Sequence, residues 1–331
     1  LTAIPLGYRS ARIASLPPVD EPFDVEAFCS VTIPDEENAF VEYREAFDLF
    51  VECTATSEDW NGLKSDDWET TPVAFKNWLL VNEKSLEVWL EGTKKPRACW
   101  VSRKDVSPFY FVYTANSRAM ARLAVMKARQ KLHQNDPKHA WSLLYSAFRY
   151  SRHIGQEGTV HERMIGVSIL PIAASAILSW AHHSETTADD LEYAISALSN
   201  AYTEMTSPHS VALKCEYIEA TKLMPEIKYG NEIFDDNLLV DSVAMFVLGE
   251  PEFSEAALAH VFKNHLAGVD QDLASRPPWV PGLPCLFDIP ASSTHSITGG
   301  DLSKALTIAP AIAHRGWLPS LKQILEGREL E

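Results

Sequence analysis

The chain has 331 residues, 46% of them hydrophobic and 22% charged, with 29 Lys/Arg against 45 Asp/Glu for a formal net charge of −16. This is the composition of a folded chain long enough for roughly two domains, and it excludes wholesale disorder. An acidic surface repels phosphates, so general nucleic-acid binding is excluded as well.

The sequence opens on the apolar run Leu1–Gly7, followed by Tyr8, Arg9 and Arg12. Two readings stand for it: the tail of an upstream, removed membrane anchor with an aromatic and basic flank, or a frayed terminus. Residues 1–33 carry Pro17, Pro18 and Pro22 and are expected to form an extended, proline-rich arm. A helical region is expected over 34–113. Its first helix should start at Pro34, because proline suits the first helical position and Asp35, Glu36 and Glu37 favour the positive end of the helix dipole. Ala39, Tyr43, Ala46, Phe47, Phe50 and Val51 then recur at helical spacing. Thr54–Thr70 is acidic and turn-rich. Thr71-Pro72 restarts a helix that Gly92 is expected to end. Residues 97–113 are aromatic and β-branched, which suggests a short β-hairpin or a buried extended segment.

The pattern over 114–275 is repetitive. Helices are expected at Asn116–Gln134, Lys138–His153, Thr159–His183, Thr187–Met205 and from Ser207 to about Met224. Two more follow at Asp236–Leu248 and Ser254–Ala274. The uncharged run Met164–Ala181 approaches membrane-spanning length, but Gly166, Ser168, Pro171, Ser175 and Ser179 favour a buried core helix. Residues 276–331 comprise a proline-rich loop and a last helical pair, Asp301–Ala313 and Leu318–Gly327. Long helices joined by short turns place antiparallel neighbours side by side. The predicted fold is therefore all-α, built of stacked helical hairpins. Ala121, Leu123, Ala124 and Ala128 on one helix, with Ala140, Ala147 and Phe148 on the next, are similar to tetratricopeptide-type (TPR-like) hairpins of an α-solenoid.

Two stretches carry a further resemblance. Leu16–Asp24 with Ile33–Tyr43, and Ala140–Ala181 with Phe148–His153 and His161–Arg163, resemble a family of uncharacterised, largely helical proteins of planctomycete-type bacteria. The resemblance implies a membrane anchor ahead of the proline-rich arm. It implies no catalytic residue.

Motifs for chemistry are sparse. His161-Glu162 starts a zinc-protease pattern, but position 165 is Ile. His182 and His183 project about 100° apart on a helix, a poor arrangement for one ion. No metal site is expected. The phosphate-loop, dinucleotide and nucleophile-elbow spacings are absent, so no cofactor is expected either. Cys29, Cys53, Cys99, Cys215 and Cys285 are dispersed, which leans towards a reducing compartment. In the proline-rich loop, Trp279, Asp288 and His295 are candidates to line a cleft. Packing of Trp279 against the helical body is the competing reading.

Charge is uneven along the chain. Residues 1–91 carry 6 Lys/Arg and 19 Asp/Glu, a net of −13. Residues 92–163 carry 14 and 4, a net of +10, and residues 164–331 carry 9 and 22, a net of −13. In one reading the basic block neutralises the acidic region before it. In the other, Arg118, Arg122 and Arg129, with Arg149 and Arg152, line a groove for an anionic partner or for lipid headgroups. Lys127 and Lys131 fall on the opposite side of the same helix. The expected function is a non-catalytic helical-repeat scaffold or accessory subunit that binds a protein partner. The alternative is an α/α-toroid carbohydrate-active enzyme, a glycoside hydrolase or lyase, in which paired carboxylates would act beside a tryptophan.

Overall fold

A computed structural model describes residues 20–62, 68–106, 114–229, 259, 262, 263 and 266–271. The described residues are mainly helical and contain no strand, so the all-α expectation holds. The helices are α1 (Val25–Cys29), α2 (Phe40–Asp48), α3 (Ser57–Gly62), α4 (Val73–Val81), α5 (Glu83–Lys94), α6 (Thr114–His133), α7 (Pro137–His153), α8 (Val160–Ala181), α9 (Ala188–Glu204) and α10 (His209–Tyr229).

Local signals fix the long helices. The turn after α6 places Asn135 at φ 57°, a left-handed conformation that asparagine tolerates better than most residues. Asp136 then accepts the His139 amide, and Pro137 occupies the first turn of α7. Capping boxes start the next two helices: Thr159 with Glu162 for α8, and Thr187 with Asp190 for α9. Small residues let the helices approach. Ala121, Ala124 and Ala128 of α6, with Ala140 and Ala147 of α7, are all at most 1% exposed. Gly166 of α8 lies where an added Cβ would stand 2.5 Å from the Ser151 carbonyl, so no larger residue fits.

The N-terminal expectations need correction in four places. The proline-rich arm contains a short helix, α1, capped by Asp24, which accepts the Ala27 amide at 2.8 Å. α2 begins at Phe40 and not at Pro34, because Asn38 is occupied elsewhere. Its side chain accepts from the Cys99 amide at 2.9 Å and donates to the Cys99 carbonyl at 3.0 Å. Asn38 and Arg97 form one isolated parallel bridge, which takes the place of a hairpin in the described part of 97–113. Residues 107–113 lie outside the described residues. Finally, the helix expected from Pro72 to Gly92 is two helices. Asn82 separates them by donating to the Trp78 carbonyl at 2.9 Å and the Val51 carbonyl at 3.0 Å, while the Val51 amide donates back at 2.8 Å. Gly92 sits inside α5. A Cβ there would lie 2.7 Å from the buried Tyr43 ring.

The chain divides into two compact units. Among the described residues, one comprises 32–62, 68–102 and 114–207 and holds α2 to α9 with the main core. Among the described residues, the other comprises 20–31, 103–106, 208–229 and those described between 259 and 271, and holds α1, a 3-10 turn at Arg103–Asp105 and α10. Its small core joins Phe28, Val106, Cys215 and Ile218. Arg103 lies 4.2 Å over the Phe28 ring, and Asp270 caps α10 by accepting the His209 amide at 2.5 Å.

Among the described residues, α8 is long and apolar enough to cross a membrane. It is also largely a core helix: Ile169, Ala173, Ile177 and Ala181 are fully buried.

Candidate functional site

α5 has two unlike faces. One is sealed. Trp89 and Tyr150 pack edge to face with ring centroids 5.0 Å apart, and Tyr150 meets Tyr43 at 4.8 Å. All three are completely buried, as is His153. The Tyr43 hydroxyl and His153 Nδ1 are 2.6 Å apart. Burial pushes the Tyr43 pKa well above its ordinary value, so the phenol keeps its proton. His153 is held neutral. Burial, aided by the Arg149 charge, pushes its pKa down to about 3. Wholly enclosed, this cluster organises α2, α5 and α7 and offers nothing to a ligand.

The arginine stripe expected from sequence divides. Arg149 closes the C-terminus of α5, with Nε donating to the Thr93 carbonyl at 2.6 Å and Nη2 to the Lys95 carbonyl at 2.8 Å. Arg152 donates to Thr206 Oγ1 at 2.6 Å and lies 4.7 Å over the Tyr202 ring. Both therefore act within the fold. Arg118 and Arg122 are exposed on α6, one turn apart, and Arg129 is half-buried on the same helix. Partial burial, then the nearby Arg118 charge, lowers the Arg122 pKa. Trp279, Asp288 and His295 lie outside the described residues.

Part of the basic block does neutralise the acidic region before it. Lys95 pairs with Glu42 at 2.6 Å, and Lys127 with Glu83 at 2.8 Å. Within the basic block, Arg97 pairs with the buried Glu157 at 2.7 Å. Gln156 in the same turn accepts the Ala98 amide at 3.0 Å, which ties the α7–α8 connection to the segment after α5.

The other face of α5 is open. It borders a groove of about 280 Å³ between α5, α6 and α7. α5 contributes Glu83, Leu86, Glu87 and Leu90, a stripe at helical spacing. α6 supplies Lys127 and Lys131, and α7 supplies His139, Ser142 and Leu143. The floor is apolar and the rim carries both signs of charge. The Lys127–Glu83 pair spans the groove, and Lys131 and the His139–Asp136 pair stand at its rim. Asp136 orients His139 through a 2.6 Å contact to its Nδ1, so Nε2 is the ring nitrogen left for a ligand. Among the described residues, no three His, Cys, Asp or Glu side chains converge as a metal site would require.

Sequence reasoning placed Lys127 and Lys131 on a second polar edge of α6 but gave that edge no role. The available signal was the Glu83, Leu86, Glu87, Leu90 stripe, which mixes leucine and charge on one helical face. No protein-family model, curated protein or solved structure matches the chain.

Proposed function

We propose that this chain is a non-catalytic helical scaffold or accessory subunit, and that a protein partner docks in the α5–α6–α7 groove. The observation that carries this reading is the groove itself, where a leucine floor sits beneath a rim of both charges on three long helices. Such a surface suits a side-chain-bearing partner: apolar contact supplies binding and the charged rim supplies selection. Glycoside cleavage is less well served. It needs two carboxylates flanking a bond, whereas Glu83 and Glu87 stand one turn apart on one helix and Glu83 is paired with Lys127. Trp78, Trp89, Trp141 and Trp180 are buried in the core, out of reach as stacking platforms.

Photo-crosslinking tests the proposal. A photoreactive residue at Ser142, exposed at the groove, should trap one defined protein in extract of the native host. The same residue at Glu192, exposed on α9, should not. No Ser142-specific adduct, or identical adducts from both positions, would overturn it.

A further inference from the structure

We infer that Arg152 anchors an oxyanion site at the ends of α7 and α9, one that takes a phosphate or carboxylate group beside Thr206. The inference does not depend on the α5–α6–α7 groove and concerns a second site on the same unit.

Several cations of the basic block have an evident partner. Lys95, Arg97 and Lys127 meet Glu42, Glu157 and Glu83 at 2.6, 2.7 and 2.8 Å, and Arg149 is held by the Thr93 and Lys95 carbonyls. Arg152, in the last turn of α7, differs. Its guanidinium makes a single hydrogen bond, from Nη2 to the neutral Thr206 hydroxyl at 2.6 Å, and lies 4.7 Å over the Tyr202 ring. Its Nε is sealed from solvent with no partner. Among the described residues, no ion pair involves Arg152. Burial lowers its pKa, and Tyr202 acts in the opposite sense. A charge taken out of water without a counter-charge is costly. The carboxyl end of α7 and the face of Tyr202 offset part of that cost. Neither supplies the charge-assisted hydrogen bond that a guanidinium forms with an oxyanion.

The surroundings set where the oxyanion sits. The segment after α9 is gripped residue by residue. Gln156 donates to the Met205 carbonyl at 3.4 Å, Arg152 to Thr206, and Arg163 to the Ser207 carbonyl at 3.4 Å. Thr206 itself is exposed, and its hydroxyl donates to the Tyr202 carbonyl. The Arg152 bond therefore ends at the surface, while its Nε is enclosed. A ligand approaching from the Thr206 side finds a guanidinium already positioned by a hydroxyl and an aromatic face, so little side-chain entropy is left to lose. The chain's net −16 gives no general attraction for anions. Selection therefore falls to this one oriented fork and not to a diffuse field.

The test is calorimetric titration of the full chain with inorganic phosphate and with acetate, at an ionic strength held constant with sodium chloride. At least one of the two anions should bind above the chloride background. Arg152→Met should weaken that binding at least about tenfold. Arg118→Gln, at an exposed arginine of α6, should leave it unchanged. Thr206→Glu supplies the missing carboxylate from within the chain, so it should raise the melting temperature by about 2–4 °C and abolish anion binding. In the Arg152→Met background the same change should lower the melting temperature, because the carboxylate then meets only the negative end of the α9 dipole. Tighter binding of phosphate than of acetate assigns a phosphate group to the site, and the reverse order assigns a carboxylate. Binding of neither, an equal loss in Arg118→Gln, or a Thr206→Glu effect that does not depend on Arg152 would overturn the inference.

Discussion

The closed and open faces of α5 carry different residues for different ends. On the closed face, Ser85, Trp89, Gly92 and Thr93 are all buried, and the Ser85 hydroxyl donates to the Ala46 carbonyl at 2.7 Å. On the open face, Glu83 and Glu87 stay exposed above Leu86. A single helix thus fixes the fold with one side and leaves the other bordering an open groove. The lesson is that burial separates structural from available polar groups better than residue type does. Arg149 and Lys131 belong to the same basic block, yet Arg149 is spent on helix-end carbonyls.

Mutations can break this contrast, and the largest effects belong to the closed face. Trp89→Ala removes a fully buried indole and should cost about 3–5 kcal/mol in urea unfolding. A loss below about 1 kcal/mol would mean that the aromatic cluster does not hold α5.

The next effect is pH-dependent. His153 titrates at about 3 in the folded chain and near its ordinary 6.5 when unfolded. Its contribution to stability is therefore complete above pH 6.5. As the pH falls the unfolded chain takes up the proton first, and stability drops by about 1.4 kcal/mol per pH unit until roughly pH 3. His153→Gln should flatten the stability profile between pH 6.5 and 4. An acid limb of unchanged slope in that variant would locate the titration elsewhere.

The smallest effect belongs to the open face. Lys127→Ala breaks a pair whose Glu83 side chain is 49% exposed, so it should change stability by less than about 1 kcal/mol. A loss comparable to that of Trp89→Ala would show that the rim is structural and would erase the distinction between the faces.

The later helices were legible because their signals are local. Asp136-Pro137, Thr159 with Glu162, and Thr187 with Asp190 sit within a few residues of the turns they cap. The break at Asn82 was not legible, since it depends on Val51, 31 residues away. Likewise, Asn38 delays α2 through contacts with Cys99 that no window of sequence contains. The candidate site was half legible. Lys127 and Lys131 stood out as one edge of α6, but the groove needs α5 and α7 beside them, and that assembly is a tertiary fact. Arg149 misled for the same reason, because its carbonyl partners lie more than fifty residues earlier.

Amide hydrogen exchange of the full chain, with and without the protein trapped by the Ser142 crosslink, tests the docking claim most directly. Slowed exchange confined to residues 83–90, 127–131 and 139–143 is the predicted result. Partner binding that leaves those segments unchanged, or that protects α9 in their place, would contradict it.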